Sequence, residues 1–173
     1  DNFFTKDLAE EDTEEERQVN QIGEILRDGQ QIVVQVTKEP IGTKGPRVTM
    51  HPTIAGRFLV LVPFTMQVTL SRKIENEEER TRLTSIIEKL VTQAKIGLIA
   101  RTASQGVSKE TIVRDFNILK KNWGQIQQRI NNHIPKTILY HELDIIKRSV
   151  RDFFDEGVRT IIIDDYTTYQ QLR

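Results

Sequence analysis

The spacing of hydrophobic residues changes near residue 75 of the 173-residue chain. Before that point, short β-branched or apolar runs at residues 31–36, 47–50, 57–62 and 67–71 predict strands. Beyond it, apolar residues recur every three or four positions, which predicts amphipathic helices. The chain therefore has a strand-rich front and a rear in which helices alternate with strands, and we expect a mixed α and β protein.

Three helices are predicted in the rear part, together with their ends. The first begins at Asn76, with Glu79 three residues later as in a capping box. The second begins at Ser108 and ends at residues 131–132, and its apolar stripe includes Trp123, which we expect in the core. The third covers residues 145–154. Short apolar runs between and after them predict buried strands at residues 97–100, 137–140 and 158–163.

Charge is distributed unevenly along the chain, although the net charge is zero at pH 7. The first twenty residues carry eight acidic and two basic side chains, and we interpret residues 1–24 as an acidic flexible segment. Between Val36 and Lys73 there are six basic residues and one acidic residue, Glu39. Such clustering indicates a polyanionic partner, and an ordinary solvated surface is the alternative.

Composition excludes several classes of protein. The chain has no cysteine, which excludes disulfide scaffolds, thiolate zinc sites and a cysteine nucleophile. No apolar run approaches the ~18 residues that a membrane-spanning helix needs. The chain begins at Asp1 without a signal-peptide pattern, and we expect a cytoplasmic protein or a piece of one.

One stretch offers a physical argument for an anion site. The predicted strand at residues 97–100 leads to Arg101 and Thr102 and then to a loop of small residues, which enters the helix that begins at Ser108. A guanidinium, a hydroxyl, backbone N–H groups and the positive end of a helix dipole are what a phosphate monoester requires. Arg101 paired with a carboxylate is the alternative. Further along, Asp164 and Asp165 follow a predicted strand, and a helix N-cap is favoured there over a ligand site.

Several motifs occur in an order that is typical of one family. They are residues 37–49 (TKEPIGTKGPRVT), 55–63 (AGRFLVLVP), 71–75 (SRKIE), 97–106 (GLIARTASQG), Trp123, 139–142 (LYHE) and Arg148-x-x-Arg151-Asp152. From about Ile25 onward the sequence resembles the ribonuclease E/ribonuclease G family of bacterial endoribonucleases. The resemblance implies an α+β fold. Residues 25–53 would be C-terminal strands of an OB-fold RNA-binding domain, residues 54–134 a mixed α/β 5′-sensor domain, and residues 135–173 an RNase-H-like α/β segment.

The resemblance also implies two sets of site residues. Those that would hold the 5′-monophosphate of RNA and line its pocket are Arg101, Thr102, Gly56 and Val60. Those that would contact the RNA chain are basic: Lys38, Lys44, Arg72 and Lys73. The family's catalytic carboxylates bind Mg²⁺ in a domain downstream of the matched motifs. We therefore assign no catalytic residue, metal ligand or cofactor to this chain.

The leading interpretation is an RNA-binding, 5′-monophosphate-sensing fragment of a metal-dependent endoribonuclease that acts in RNA processing and decay, with the cleavage domain absent from this chain. Single-stranded RNA is the expected partner, and a homo-oligomer of the parent enzyme is left open. Two alternatives remain: a non-catalytic RNA-binding or scaffold module without the sensor function, and a domain that binds small phosphorylated metabolites. On the leading interpretation, Arg101→Ala removes 5′-phosphate discrimination and leaves the melting temperature nearly unchanged.

Overall fold

The computed structural model describes residues 22–132, 135–141, 145–154 and 157–172. The chain divides into two compact units between Pro52 and Thr53. The predicted acidic segment lies outside the described residues up to residue 21. The α+β class expected from the sequence is confirmed. The finer assignments to OB-fold, 5′-sensor and RNase-H-like parts stay predictions.

The first unit consists of a short helix, α1 (Ile22–Ile25), and an antiparallel pair of strands, β1 (Gln35–Lys38) and β2 (Arg47–Thr49). None of its described residues is buried. Val36 and Val48 are partners across the two strands, yet they remain 57% and 47% exposed. Strand β1 begins later than the apolar run that predicted it, because pairing with β2 decides which residues form a strand.

The second unit is built on a four-stranded sheet. Its elements in chain order are β3 (Ile54–Ala55), β4 (Leu59–Val62), β5 (Val68–Leu70), α2 (Glu77–Ala94), β6 (Gly97–Ala100), a 3₁₀ turn (Thr102–Ser104), α3 (Lys109–Asn131), α4 (Ile145–Phe153) and α5 (Tyr166–Leu172). The strand order in the sheet is β3–β4–β6–β5. Strands β3, β4 and β6 are antiparallel neighbours, whereas β5 runs parallel to β6.

Helices α2 and α3 cover this sheet through their apolar stripes. Helix α2 packs on β5 and β6, and α3 packs on β3 and β4. Alternate strand residues, including Leu59, Leu61 and Leu98, are fully buried in one cluster with these helices, as expected for a sheet with one face on the core. Both predicted N-caps are confirmed, since Asn76 accepts a hydrogen bond from the N–H of Glu79 and Ser108 accepts one from Thr111.

Three strand ends meet at one end of the sheet. Because β5 and β6 are parallel, their C-terminal ends lie side by side, and the N–H of Ser71 donates to the carbonyl of Ala100 at 2.8 Å. The start of β4 lies at the same end, where the N–H of Arg101 donates to the carbonyl of Phe58 at 2.8 Å. The β3–β4 turn, residues 56–58, therefore lies beside the residues that follow β5 and β6.

Two predicted strands are wrong. Residues 137–140 and 158–163 have no strand structure, because neither run pairs with any strand in the part of the chain that the structure describes. An apolar run becomes a strand only when another strand satisfies its backbone. Ile138 and Ile162 in these runs are 69% and 92% exposed. The predicted helices, whose hydrogen bonds are internal, are confirmed as α2, α3 and α4.

Candidate functional site

One carboxylate organises the β3–β4 turn from the side of α3. Asp115 accepts hydrogen bonds from the backbone N–H groups of Arg57 at 3.2 Å, Phe58 at 3.0 Å and Leu59 at 2.9 Å. The same carboxylate leaves no room for a side chain at the start of the turn, since a Cβ on Gly56 would lie 2.6 Å from one of its oxygens. Gly56 is required because α3 approaches so closely.

Arg101 contacts the turn through its side chain. Its Nη1 donates to the carbonyl of Gly56 and, at 3.0 Å, to Oδ1 of Asp152 on α4. Only 10% of the Arg101 side chain is exposed. The carboxylate pairing that the sequence left open is therefore present, and the phosphate contact of Arg101 stays a prediction. The expectation that Arg101→Ala leaves the melting temperature nearly unchanged is revised, because Arg101 is an ion-pair partner in the folded chain.

Asp152 is shared between two arginines. Its Oδ1 also accepts from Nε of Arg151 at 3.0 Å, and its Oδ2 accepts from Nη2 of Arg151 at 3.2 Å. Nη1 of Arg151 donates to the carbonyl of Ala55 at 2.9 Å. Burial raises the pKa of Asp152, but the hydrogen bonds from Arg151 and Arg101 outweigh it and lower the pKa below its usual value. Asp152 is thus ionised at neutral pH.

Thr102 lies next to Arg101, at the start of the 3₁₀ turn. Its Oγ1 is 2.9 Å from Oγ of Ser71, the residue that follows β5. Arg72 and Lys73 come next in the chain and are exposed. The structure therefore brings Arg101, Thr102 and Gly56 together at one end of the sheet, with the predicted basic pair one and two residues beyond Ser71.

The loop that carries Thr102 is fastened to the first turn of α2. Gly106 in this loop has a positive φ of 69° and donates its N–H to Oε1 of Glu79 at 2.8 Å. Glu79 also accepts two hydrogen bonds from Arg82, at 2.7 and 2.6 Å. The bonds from Arg82, together with the one from Gly106, lower the pKa of Glu79 to about 2. The carboxylate therefore holds the loop at any ordinary pH.

Of the remaining predicted site residues, Val60 lies in the sheet of the second unit, and Lys38 and Lys44 lie in the first unit. Val60 is 8% exposed and is the cross-strand partner of Ile99. Because side chains alternate along an extended strand, Arg101, two residues after Ile99, is on the same face of the sheet as Val60. Lys38 ends β1, and Lys44 forms an isolated bridge with Ile41; both lysines are exposed in the first unit. Their RNA contacts stay predictions.

Sequence reasoning missed the carboxylates that build the site. Asp115 had a signal, since it lies three residues after Ile112 and directly before Phe116 on the apolar stripe of α3, where an acidic residue is unusual. Asp152 was part of the Arg148-x-x-Arg151-Asp152 motif but was given no role, because its partner Arg101 is 51 residues away. Glu79 was noted for its capping position, but its contact with Gly106 depends on the tertiary fold.

Three further expectations concern metal ligands, the Asp164–Asp165 pair and membrane-spanning helices. Within residues 22–132, 135–141, 145–154 and 157–172, no three His, Cys, Asp or Glu side chains lie close enough together to hold a metal ion. Asp165 caps α5, where its carboxylate accepts from the N–H of Thr168 at 2.7 Å, so the favoured N-cap is confirmed. No helix in these ranges has the length and apolar character needed to cross a membrane.

The second unit is a small α+β domain whose charged side chains gather where strands β5 and β6 end. A model of the Ribonuclease E/G family matches residues 53–173, which is more than half of the chain. The chain belongs to this family, as the order of its motifs predicted.

Several curated proteins are similar over most of the chain. Ribonuclease E of Nostoc sp. (strain PCC 7120) is 39% identical over 152 residues, which are 88% of this chain and 22% of that protein. Ribonuclease G of Haemophilus influenzae is 36% identical over 167 residues, 96% of this chain and 34% of the relative. Ribonuclease G of Escherichia coli (strain K12) is 37% identical over 161 residues, which are 92% of this chain and 33% of that protein. The chain thus spans 22% to 34% of the length of these relatives.

Proposed function

We propose that the chain is the RNA-binding and 5′-end-sensing part of an endoribonuclease that acts in RNA processing and decay. Membership of the Ribonuclease E/G family and the names of the relatives support RNA as the substrate. In this proposal the chain recognises single-stranded RNA and does not cut it. By the resemblance, cleavage belongs to downstream carboxylates that bind Mg²⁺.

The 5′-monophosphate binds at the end of the sheet beside Arg101 and Thr102. The observation that carries this proposal is the contact between the Arg101 side chain and the carbonyl of Gly56, two predicted site residues that are 45 positions apart in the sequence. Thr102 adds a hydroxyl next to that contact, and Val60 lies on the same face of the sheet. Arginine forms charge-assisted, bidentate hydrogen bonds with phosphate, which a 5′-hydroxyl cannot form.

Holding the 5′ end serves a reaction elsewhere by raising the local concentration of the RNA. A tethered strand reaches a second site at an effective concentration set by the linking segment, without any new contact at that site. The predicted RNA-contacting residues supply a sequence-independent attraction to the phosphate backbone; they are Lys38, Lys44, Arg72 and Lys73.

A non-catalytic RNA-binding or scaffold module is the second candidate. The observation that favours it is the ion pair between Arg101 and Asp152, because a guanidinium that only stabilises the fold needs no phosphate. On this alternative, RNA binding is independent of the chemistry at the 5′ end.

Binding of two short oligoribonucleotides that differ only at the 5′ end separates the candidates. Fluorescence anisotropy is measured on the 173-residue chain with a 5′-phosphate or a 5′-hydroxyl and a 3′ label. Tighter binding of the phosphorylated strand, lost in Arg101→Ala, supports sensing. The matched control is Lys120→Ala, which removes an exposed positive charge on α3 and should leave the ratio of the two affinities unchanged. Equal affinities for the two strands would support the scaffold module.

A further inference from the structure

We propose that Asp152 is a stand-in for the 5′-phosphate: its carboxylate occupies Arg101 while no RNA is bound, and it stays with Arg151 when a 5′-monophosphate takes its place. This inference rests on the proposed function. It makes the ion pair between Arg101 and Asp152 part of 5′-end sensing, with Asp152 as the competitor that sets the affinity of Arg101 for a phosphorylated end.

The geometry allows this exchange because Asp152 has two cationic partners. One oxygen, Oδ1, is 3.0 Å from Nη1 of Arg101 and 3.0 Å from Nε of Arg151, and the other, Oδ2, is 3.2 Å from Nη2 of Arg151. If Arg101 turns to an incoming phosphate, Asp152 keeps both hydrogen bonds to Arg151. The carboxylate then never becomes an unpaired charge, which would be strongly unfavourable at a side-chain exposure of 18%.

The same burial explains why a stand-in is needed. The side chains of Arg101 and Arg151 are only 10% and 15% exposed, so neither guanidinium is well solvated. Among the described contacts of this cluster, one carboxylate serves two guanidinium groups. For comparison, Glu79 contacts one cation, Arg82, among the residues that the structure describes.

Only a charged 5′ end can compete with the carboxylate for Arg101. A 5′-hydroxyl is neutral and cannot replace an ionised carboxylate on arginine, whereas a phosphate monoester carries about −1.5 to −2 charges at pH 7. Phosphate and carboxylate both offer oxygens that match the guanidinium fork. Asp152 therefore lowers the affinity for phosphorylated ends, whereas a neutral 5′-hydroxyl gains little from Arg101 whether or not the carboxylate is present.

The central experiment compares the wild-type chain with Asp152→Asn, using the 5′-phosphorylated and 5′-hydroxyl strands. Removing the competitor should tighten binding of the phosphorylated strand about three- to tenfold and change binding of the hydroxyl strand less than about twofold, which are magnitudes typical of one partly buried ion pair. The matched control is Glu77→Gln, which also removes one negative charge but lies on α2 at 87% side-chain exposure.

The outcomes separate this inference from the proposed function. If the wild-type chain does not discriminate between the strands, the proposed function fails and the stand-in role fails with it. If the wild-type chain discriminates but Asp152→Asn binds the phosphorylated strand equally or more weakly, sensing stands and the stand-in role is overturned. Equal or weaker binding of the phosphorylated strand by Asp152→Asn would mean that Asp152 positions Arg101 and does not compete for it.

A measurement on the wild-type chain makes the test independent of whether the variant folds. With ¹³C-labelled aspartate, the carboxyl resonance of Asp152 is followed by NMR during titration with each strand. It should shift when the 5′-phosphorylated strand binds, because the contact with Arg101 is lost, and should not shift with the 5′-hydroxyl strand. An unchanged resonance at saturation with the phosphorylated strand would overturn the inference.

Discussion

Helices α3 and α4 hold the β3–β4 turn by different chemistry. Helix α3 buries an apolar stripe against the sheet and directs Asp115 at three backbone N–H groups of the turn. Helix α4 has no buried residue, and it reaches the same region through Asp152 and Arg151, which contact Arg101 and the carbonyl of Ala55. One attachment is largely apolar with a single carboxylate, and the other is made of charged side chains.

The difference lies in whether the partners can be exchanged. The donors to Asp115 are backbone N–H groups, so this carboxylate cannot change partners unless the turn itself changes. The partners of Asp152 are long arginine side chains, which can turn to another anion without any change in the backbone. We infer that the α3 side determines the shape of the turn and that the α4 side determines which anion Arg101 holds.

The largest effect should come from Asp115→Ala. The substitution leaves three turn N–H groups without their acceptor, and we expect the free energy of unfolding to fall by about 3 kcal/mol or more. Urea denaturation followed by circular dichroism measures this. A loss smaller than that of Asp152→Asn would contradict the comparison, because the α4 side would then be the stronger attachment.

Gly56→Ala disturbs the same contact between Asp115 and the β3–β4 turn, this time from the side of the turn. The new Cβ would lie 2.6 Å from the Asp115 carboxylate and push it off its N–H donors, at an expected loss of about 2 kcal/mol. The control is Gly124→Ala in α3, where an added Cβ meets nothing within 4 Å. That change should stabilise the chain by up to about 1 kcal/mol, because alanine favours helix. Equal effects of the two substitutions would refute the close approach at Gly56.

Arg101→Ala tests the contact with α4, in which the ionic partners can be exchanged. Removing one partner of a buried ion pair typically costs about 3–5 kcal/mol, but Asp152 retains Arg151, so we expect a loss of about 1–2 kcal/mol. Thermal unfolding checks it. The double variant Arg101→Ala/Asp152→Asn should lose less than the sum of the single losses. Strict additivity would show that the two side chains are not coupled in solution.

The smallest effect is expected from Glu79→Gln, which loosens the loop that carries Thr102. We expect a loss of up to about 1 kcal/mol at pH 7. Because the pKa of Glu79 is lowered from 4.5 to about 2, its contribution is complete above about pH 4.5 and disappears as the pH falls through 2. The difference in stability between the wild type and Glu79→Gln should therefore shrink across that interval. A difference that is constant from pH 7 to 2 would disprove the role of the ionised carboxylate.

Sequence reasoning succeeded where a structure is stabilised by near neighbours in the chain. The stripe from Ile112 to Ile126, the caps at Asn76 and Ser108, and the core position of Trp123 all follow from helical spacing and are confirmed. It failed for residues 137–140 and 158–163, because an apolar run does not state which strand will pair with it. The pairing of Arg101 was an open alternative for the same reason.

By itself, the sequence determined the family, the helices and the group of residues in which a site should be sought, because motifs and periodic spacing are local properties of the chain. The tertiary structure alone decided that Asp115 accepts hydrogen bonds from the N–H groups of the β3–β4 turn and that Asp152 pairs with both Arg101 and Arg151. The contacts of Asp115 with the turn and of Asp152 with Arg101 join residues about 50 or more positions apart, and the partner of a buried charge is set by which elements pack together.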